Sequence, residues 1–264
     1  MITWKELDEY TDRFANFLGS IGVKKGDKVV LFMQNCPQYV IAYYGIQKLG
    51  AIIAPASPMF KEWELEYEVN DLGAKVIVTT DDLYPIVENI RANIIFEQVV
   101  VTNYRDMASS DGKIPIPKEL TLEKKVYPNT RDMMEILSLY PPQAPLVDIN
   151  IWEDVYMIVY TSGTTGRPKG AMLTYGNALF KMASSFHFND LQPDDIRLTV
   201  MPICHIAGNN QGLGIPVYGG ITTVLLTRFE AEAVLTAFES YHCTIWSGTT
   251  PMLLALMQQP EAAK

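Results

Sequence analysis

The sequence predicts an α/β fold, with doubly wound, mostly parallel sheets and helices on both faces. Short apolar runs such as Val29–Met33, Val76–Val78 and Val155–Val159 have no polar alternation. That is the pattern of strands buried on both sides. Each run is joined to the next by a stretch with helical spacing and helix start and stop signals. The alternation repeats over most of the 264 residues, as crossover helices between parallel strands require.

In order, residues 3–22 read as an amphipathic helix, with Trp4, Leu7, Phe14, Leu18 and Ile21 at three- and four-residue steps. Thr3 and Glu6 fit a capping box and Gly22 a C-terminal stop. A strand over 28–33 follows, then a helix opened by Pro37, with Asn35 or Cys36 as cap and Gly50 as stop. Residues 51–55 and 75–79 read as strands, 61–71 and 82–91 as helices, and 98–102 as a strand. The acidic run Glu62, Glu64, Glu66, Glu68 and Asp71 reads as a solvated face. Periodicity lapses over 103–128, an irregular excursion. A short helix is expected over 130–140, where Met133 and Met134 are core candidates.

Pro141, Pro142 and Pro145 form a stiff connector. A soft boundary near 145–152 divides a first α/β subdomain (1–150) from the start of a second (151–264). In the second, 154–160, 196–201, 221–226 and 243–246 read as strands. Residues 175–186, 230–241 and 250–258 read as helices, with Met252 and Met257 as core candidates. Gly208–Gly220 holds five glycines and is left open.

A net charge of -9 argues against nucleic acid as the main partner, since no basic surplus exists to displace counterions. Cys36, Cys204 and Cys243 are odd in number and widely spaced. That is neither a disulfide framework nor a zinc pattern, and it predicts a reducing, cytoplasmic setting. The acidic N-terminus is not a signal peptide, and no apolar run is long enough for a transmembrane segment.

The stretch Tyr160-Thr161-Ser162-Gly163-Thr164-Thr165-Gly166-Arg167-Pro168-Lys169-Gly170 follows an apolar strand and is rich in glycine and hydroxyls. It describes a phosphate grip. Glycines let backbone N–H groups approach an anion, hydroxyls donate without bulk, and lysine adds a mobile charge. The ordinary P-loop spacing fails, because Pro168 occupies its second glycine position and Gly170 its hydroxyl position. The dinucleotide fingerprint fails at Val217, and a nucleophile elbow fails because Tyr160 and Thr164 flank Ser162 at its glycine positions.

The loop resembles, without a gap, the signature of the adenylate-forming enzymes: acyl-CoA synthetases, aryl-CoA ligases, peptide-synthetase adenylation domains and firefly-type luciferases. Thr3-Trp4-x-Glu6-Leu7, Gly26-Asp27-Lys28-Val29, Asn35-Cys36-Pro37-Gln38-Tyr39 and Lys48–Pro55 resemble its earlier landmarks. Met201-Pro202-Ile203-Cys204-His205-Ile206-Ala207-Gly208 and Thr249-Thr250-Pro251-x-Leu253-Leu254 resemble its later ones. The family's Tyr-Gly-x-Thr-Glu and Thr-Gly-Asp elements, its hinge and its mobile C-terminal domain are not found, and its members run to roughly twice this length. The resemblance therefore implies the first part of the large N-terminal domain of such an enzyme, ending in a cut helix and incomplete for turnover.

It further implies an acid–CoA ligase, of fatty or medium-chain acyl type, that activates a carboxylate with ATP and transfers it to coenzyme A. Aryl-acid or amino-acid adenylation, or an inactive nucleotide-binding remnant, are the alternatives. Thr161, Ser162, Gly163, Thr164, Thr165 and Gly166 are then expected to hold phosphates, with Thr161 facing Mg2+. Lys169 is the expected countercharge, against a role as a surface residue that fixes the loop, while Arg167 lies in solvent. His205 is expected to line the acid pocket or orient its carboxylate, with Gly208, Asn209, Asn210 and Gly212 along the acyl channel and Trp246 and Gly248 near it. Cys204 is expected as filler, not nucleophile. An apolar face left uncovered would permit a homodimer.

Overall fold

A computed structural model describes residues 1–108, 114–115, 117–118, 122–161 and 166–260. The chain divides into two compact units: Met1–Met33 with Pro37–Met107 and Glu123–Asn177, and Gln34–Cys36 with Ala108–Leu122 and Ala178–Lys264.

The first unit runs α1 (Trp4–Ser20), β1 (Lys28–Phe32), α2 (Pro37–Lys48), β2 (Ile52–Ala56), α3 (Glu62–Leu72), β3 (Val76–Thr80), α4 (Tyr84–Ile90), β4 (Gln98–Thr102), β5 (Arg131–Asp132), α5 (Met133–Leu139), β6 (Val155–Thr161) and β7 (Lys169–Thr174). The α1 capping box forms as expected: Thr3 Oγ1 accepts from the Glu6 N–H at 3.2 Å and Glu6 Oε2 accepts from the Thr3 N–H at 2.7 Å. The strands make one sheet in the order β5-β4-β3-β1-β2-β6-β7, parallel except for the antiparallel β6–β7 pair at one edge. The order reverses at β1, as doubly wound sheets do. Successive side chains of β1 point to opposite faces. Val30 and Phe32 join a core with Leu65, Val69 and Leu72 of α3 and with Tyr84, Val87 and Ile90 of α4. Val29 and Leu31 are fully buried on the other side.

Two elements were not anticipated. The two-residue β5 is too short to show a period, and β7 is an exposed edge strand whose sequence, Lys-Gly-Ala-Met-Leu-Thr, gives no clear alternation. The acidic run also needs a correction. Glu62, Glu64 and Glu66 are partly exposed and Asp71 is exposed, but Glu68 is 6 % exposed. It lies one position before Val69 on the edge of the apolar stripe of α3, so the helix buries it with its neighbours.

The second unit holds most of α6 (Tyr175–Phe188), then β8 (Ile196–Thr199), α7 (Ile206–Asn209), α8 (Ile215–Gly219), β9 (Thr222–Leu225), α9 (Ala231–Tyr241), β10 (Ile245–Trp246) and α10 (Thr250–Met257). Its three strands are parallel, in the order β10-β8-β9. The glycine-rich stretch left open by the sequence is helical: a π-helical segment, Asn210–Gly214, joins α7 to α8. Gly212 permits that run to lie on β8, since a Cβ there would stand 2.4 Å from Thr199 Cγ2. Asn35 does not direct its side chain to the start of α2. Its amide donates to the carbonyls of Met201 (2.9 Å) and Leu226 (3.1 Å) and accepts from the Ile203 N–H (2.9 Å), tying together the chain beyond β8 and β9. Of the methionines expected in the core, Met133 is buried and Met134 and Met252 are half-buried, whereas Met257 is 76 % exposed on the outer side of α10.

Burial, with Glu64 and Asp71 nearby, pushes the Glu68 carboxyl up to about 8. The fold therefore binds a proton that the unfolded chain releases at ordinary carboxylate pH. Its contribution to stability is complete below pH ~4.5 and is lost as pH rises through about 8. Chemical denaturation at pH 6 and pH 9 is expected to show a smaller fall in stability for Glu68→Gln than for the parent, by about 1–3 kcal/mol. Equal falls in the two proteins would remove Glu68 as the cause.

Candidate functional site

The phosphate-grip sequence connects β6 to β7, so it closes an antiparallel hairpin instead of leading from a strand into a helix. Within the described residues the hairpin register pairs Thr161 with Lys169 and Tyr160 with Gly170. A hydroxyl and an ammonium from opposite ends of the motif are thereby set side by side at the mouth of the turn, both on exposed residues. Gly166 has φ +152°, a backbone region that side-chain-bearing residues rarely adopt. Ser162, Gly163, Thr164 and Thr165 lie outside the described residues.

Helix α3 brackets this mouth with two residues one turn apart. The Tyr67 hydroxyl donates to the Pro168 carbonyl at 2.9 Å, on the outgoing side. Asp71 Oδ2 accepts from the Tyr160 hydroxyl at 2.5 Å, on the incoming side. The two tyrosine rings meet edge to face at 6.4 Å, and the Arg167 guanidinium lies over the Tyr67 ring at 5.7 Å. Burial, then the Asp71 hydrogen bond, push the Tyr160 phenol up, so it stays a donor. Arg167 is exposed as expected, yet it also caps the bracket. An open groove of about 600 Å³ runs along this face, flanked by Trp63, Asn70 and Arg167. Tyr67 was not singled out by sequence, and Asp71 only as part of the acidic run read as a solvated face. Their i, i+4 spacing puts them on one helix face, but nothing local says what that face meets.

Among the described residues no group of three or more His, Cys, Asp or Glu is placed to hold a metal ion. Near the turn, Thr161 offers one neutral oxygen. That fits Mg2+ only as an ion carried in by phosphates, the usual arrangement for this cation.

In the second unit His205 is exposed and is no core histidine. It caps α7, its Nδ1 accepting from the Ala207 N–H at 3.3 Å. Gly208, Asn209 and Gly212 are buried and Asn210 is half-buried. A Cβ on Gly208 would stand 2.1 Å from the Pro202 carbonyl oxygen, so this glycine closes the turn between β8 and α7. Burial pushes the Cys204 thiol up to about 11, which keeps it protonated and unreactive. Trp246 packs edge to face on Phe238 at 5.7 Å, and Gly248 sits against the Trp246 ring.

Comparison with known proteins shows the family. The family model described as "AMP-binding enzyme" matches residues 1–264. The chain is 29% identical over 262 residues to a long-chain-fatty-acid–CoA ligase of Bacillus subtilis, covering 94% of this chain and 46% of the relative. It is 30% identical over 261 residues to a crotonobetaine/carnitine–CoA ligase of Escherichia coli, covering 99% of this chain and 47% of the relative. A long-chain-fatty-acid–CoA ligase structure from Archaeoglobus fulgidus superposes with a TM-score of 0.81 at 27% identity, over 96% of this chain and 46% of that one. The chain thus spans about half the length of the relatives it matches.

Removing the bracket's hydrogen bonds is expected to loosen the hairpin. Tyr67→Phe and Asp71→Ala should each lower unfolding free energy by about 0.5–1 kcal/mol in urea denaturation. Asp71→Asn, which keeps an acceptor oxygen, should recover part of that loss. A silent Asp71→Ala would show that the contact carries no stability.

Proposed function

The chain belongs to the family of AMP-binding enzymes, and we propose that it forms the phosphate-binding part of an ATP-dependent acid–CoA ligase of fatty or medium-chain acyl type. In that reaction the acid's carboxylate oxygen attacks the α-phosphorus of ATP, and the bond to the bridging oxygen breaks to release pyrophosphate. The sulfur of coenzyme A then attacks the acyl carbon, and AMP leaves. Such chemistry needs placement and charge neutralisation more than covalent participation by the protein.

The observation that carries this reading is the hairpin register, which sets Thr161 beside Lys169 at the mouth of the matched motif. Thr161 donates to a phosphate oxygen and faces the Mg2+ that the phosphates bring. Lys169 neutralises charge on the β- and γ-phosphates, and Gly166, with Ser162, Gly163, Thr164 and Thr165, completes the grip. His205, exposed at the start of α7, orients the acid's carboxylate. Cys36, Cys204 and Cys243, none of them in a disulfide, support a cytoplasmic setting. No helix among the described residues is long and apolar enough to cross a membrane. This chain itself is assigned nucleotide binding, and turnover is assigned to a protein of the relatives' length.

Titration of the chain with ATP and Mg2+ by calorimetry is expected to show one site. Lys169→Ala should weaken it about tenfold, or about 1.4 kcal/mol, with little change in thermal stability. An unchanged affinity would remove Lys169 from the site. In a version extended to the relatives' length, carboxylate-dependent exchange of labelled pyrophosphate into ATP is expected. Failure with every acid tried would sink the ligase reading.

A further inference from the structure

Of the acids on α3, only Glu68 is buried, at 6 % exposure. Among the described residues its carboxyl has no ion-pair or hydrogen-bond partner. Like charges flank it instead. Glu64 lies one turn before it and Asp71 one turn after it on the same helix face, and both disfavour a charge there. The Tyr160 phenol faces the same group from β6, since the charge of Glu68 is among the causes that push that phenol up.

No other element brings a cation to it. Strand β2, in the same core, has no ionisable side chain. The cations of the hairpin stand elsewhere, Arg167 over the Tyr67 ring and Lys169 opposite Thr161. The α4 region meets the opposite side of α3, where Asn89 donates to Glu62 at 2.8 Å and Asn93 to Glu66 at 3.1 Å. There Arg91 is paired with Glu88 at 3.3 Å.

This carboxyl lies between the two contacts that hold the hairpin. Tyr67, one position before it, donates to the Pro168 carbonyl, and Asp71, one turn after it, accepts from Tyr160. A neutral carboxyl is tolerated in that place. An ionised one, withdrawn from water among like charges, must regain water.

We propose that Glu68 is a proton-operated latch on the β6–β7 hairpin: while it keeps its proton α3 grips both arms, and when it ionises water enters beside Tyr160 and the Asp71 contact is released. Burial and the flanking carboxylates place the folded pKa at about 8. The closed hairpin thus binds a proton that the open one gives up. Closing is favoured fully below pH ~4.5, weakens as pH rises, and weakens no further above about 8. Resting on the reading of Thr161 and Lys169 as phosphate ligands, the latch makes nucleotide binding weaker on the alkaline side.

The test follows amide exchange of the 264-residue chain by mass spectrometry between pH 6 and 9, with each rate divided by the intrinsic rate at that pH. In the parent, protection of the β6–β7 segment should fall at least tenfold from pH 6 to 8 and then level off, while β3 and β4 keep theirs. Glu68→Gln, which mimics the protonated acid, should hold the hairpin's protection level across the range. Should Glu68→Gln fail to fold, Glu64→Gln, which removes one like charge, should move the levelling-off to lower pH. Protection that does not change with pH, or that changes equally in Glu68→Gln, would overturn the latch. An equal fall in β3 and β4 would also overturn it, because Glu68 would then act on global stability alone. Titration with ATP and Mg2+ runs beside this. Affinity should weaken at least threefold from pH 7 to 9 in the parent and stay level in Glu68→Gln, and an equal fall in both would overturn the coupling to nucleotide. Absence of ATP binding at every pH would instead count against the phosphate reading, with the exchange data still deciding the latch.

Discussion

A parallel sheet has no solvent face, and that constraint shapes the first unit. Strands β1 to β4 and β6 are apolar on both sides because helices cover both sides. The same constraint forces crossover helices between strands, so chain reversals and functional loops collect at strand ends. The motif loop is placed by this logic with one departure. It follows β6, the last strand of the parallel set on that side, and returns antiparallel as β7. Thr161 and Lys169 are exposed at this edge, and the hairpin register, not a helix N-terminus, sets one against the other.

An exposed edge hairpin needs anchoring, and α3 supplies it. One side of the helix contributes Leu65, Val69 and Leu72 to the core. The adjoining side extends Tyr67 and Asp71 to the two arms of the hairpin. Glu68 lies between these two duties. Helical geometry carries it inward with Val69, and without a cation beside it the carboxyl holds its proton. A single helix thus joins the stability of the sheet to the geometry of the β6–β7 hairpin.

The second unit shows the converse arrangement, in which polar groups are buried by design of the backbone. Asn35, far away in sequence, satisfies three main-chain groups beyond β8 and β9. Glycines at 208 and 212 bring the helical run close enough to β8 to enclose Arg197 and Thr199. Neither residue stood out in the sequence. Arg197 sits in a short run, Ile-Arg-Leu-Thr, that reads as a strand with one polar side. The glycines gave no period because the run turns π-helical midway.

Local chemistry was enough for the strand–helix alternation, the Thr3–Glu6 capping box, the ungapped motif from Thr161 to Gly170 and the likeness to adenylate-forming enzymes. Each depends on neighbours within a few positions or on a spacing along the chain. Tertiary structure decided what depends on partners distant in sequence: the exposed strand β7, the inward turn of Glu68, the exposure of Met257, the pairing of Tyr67 and Asp71 with the hairpin, and the enclosure of Arg197. The physical reason is the same in each case. Burial and hydrogen bonding are properties of the surface a residue meets, and an amino-acid sequence names the residue but not that surface.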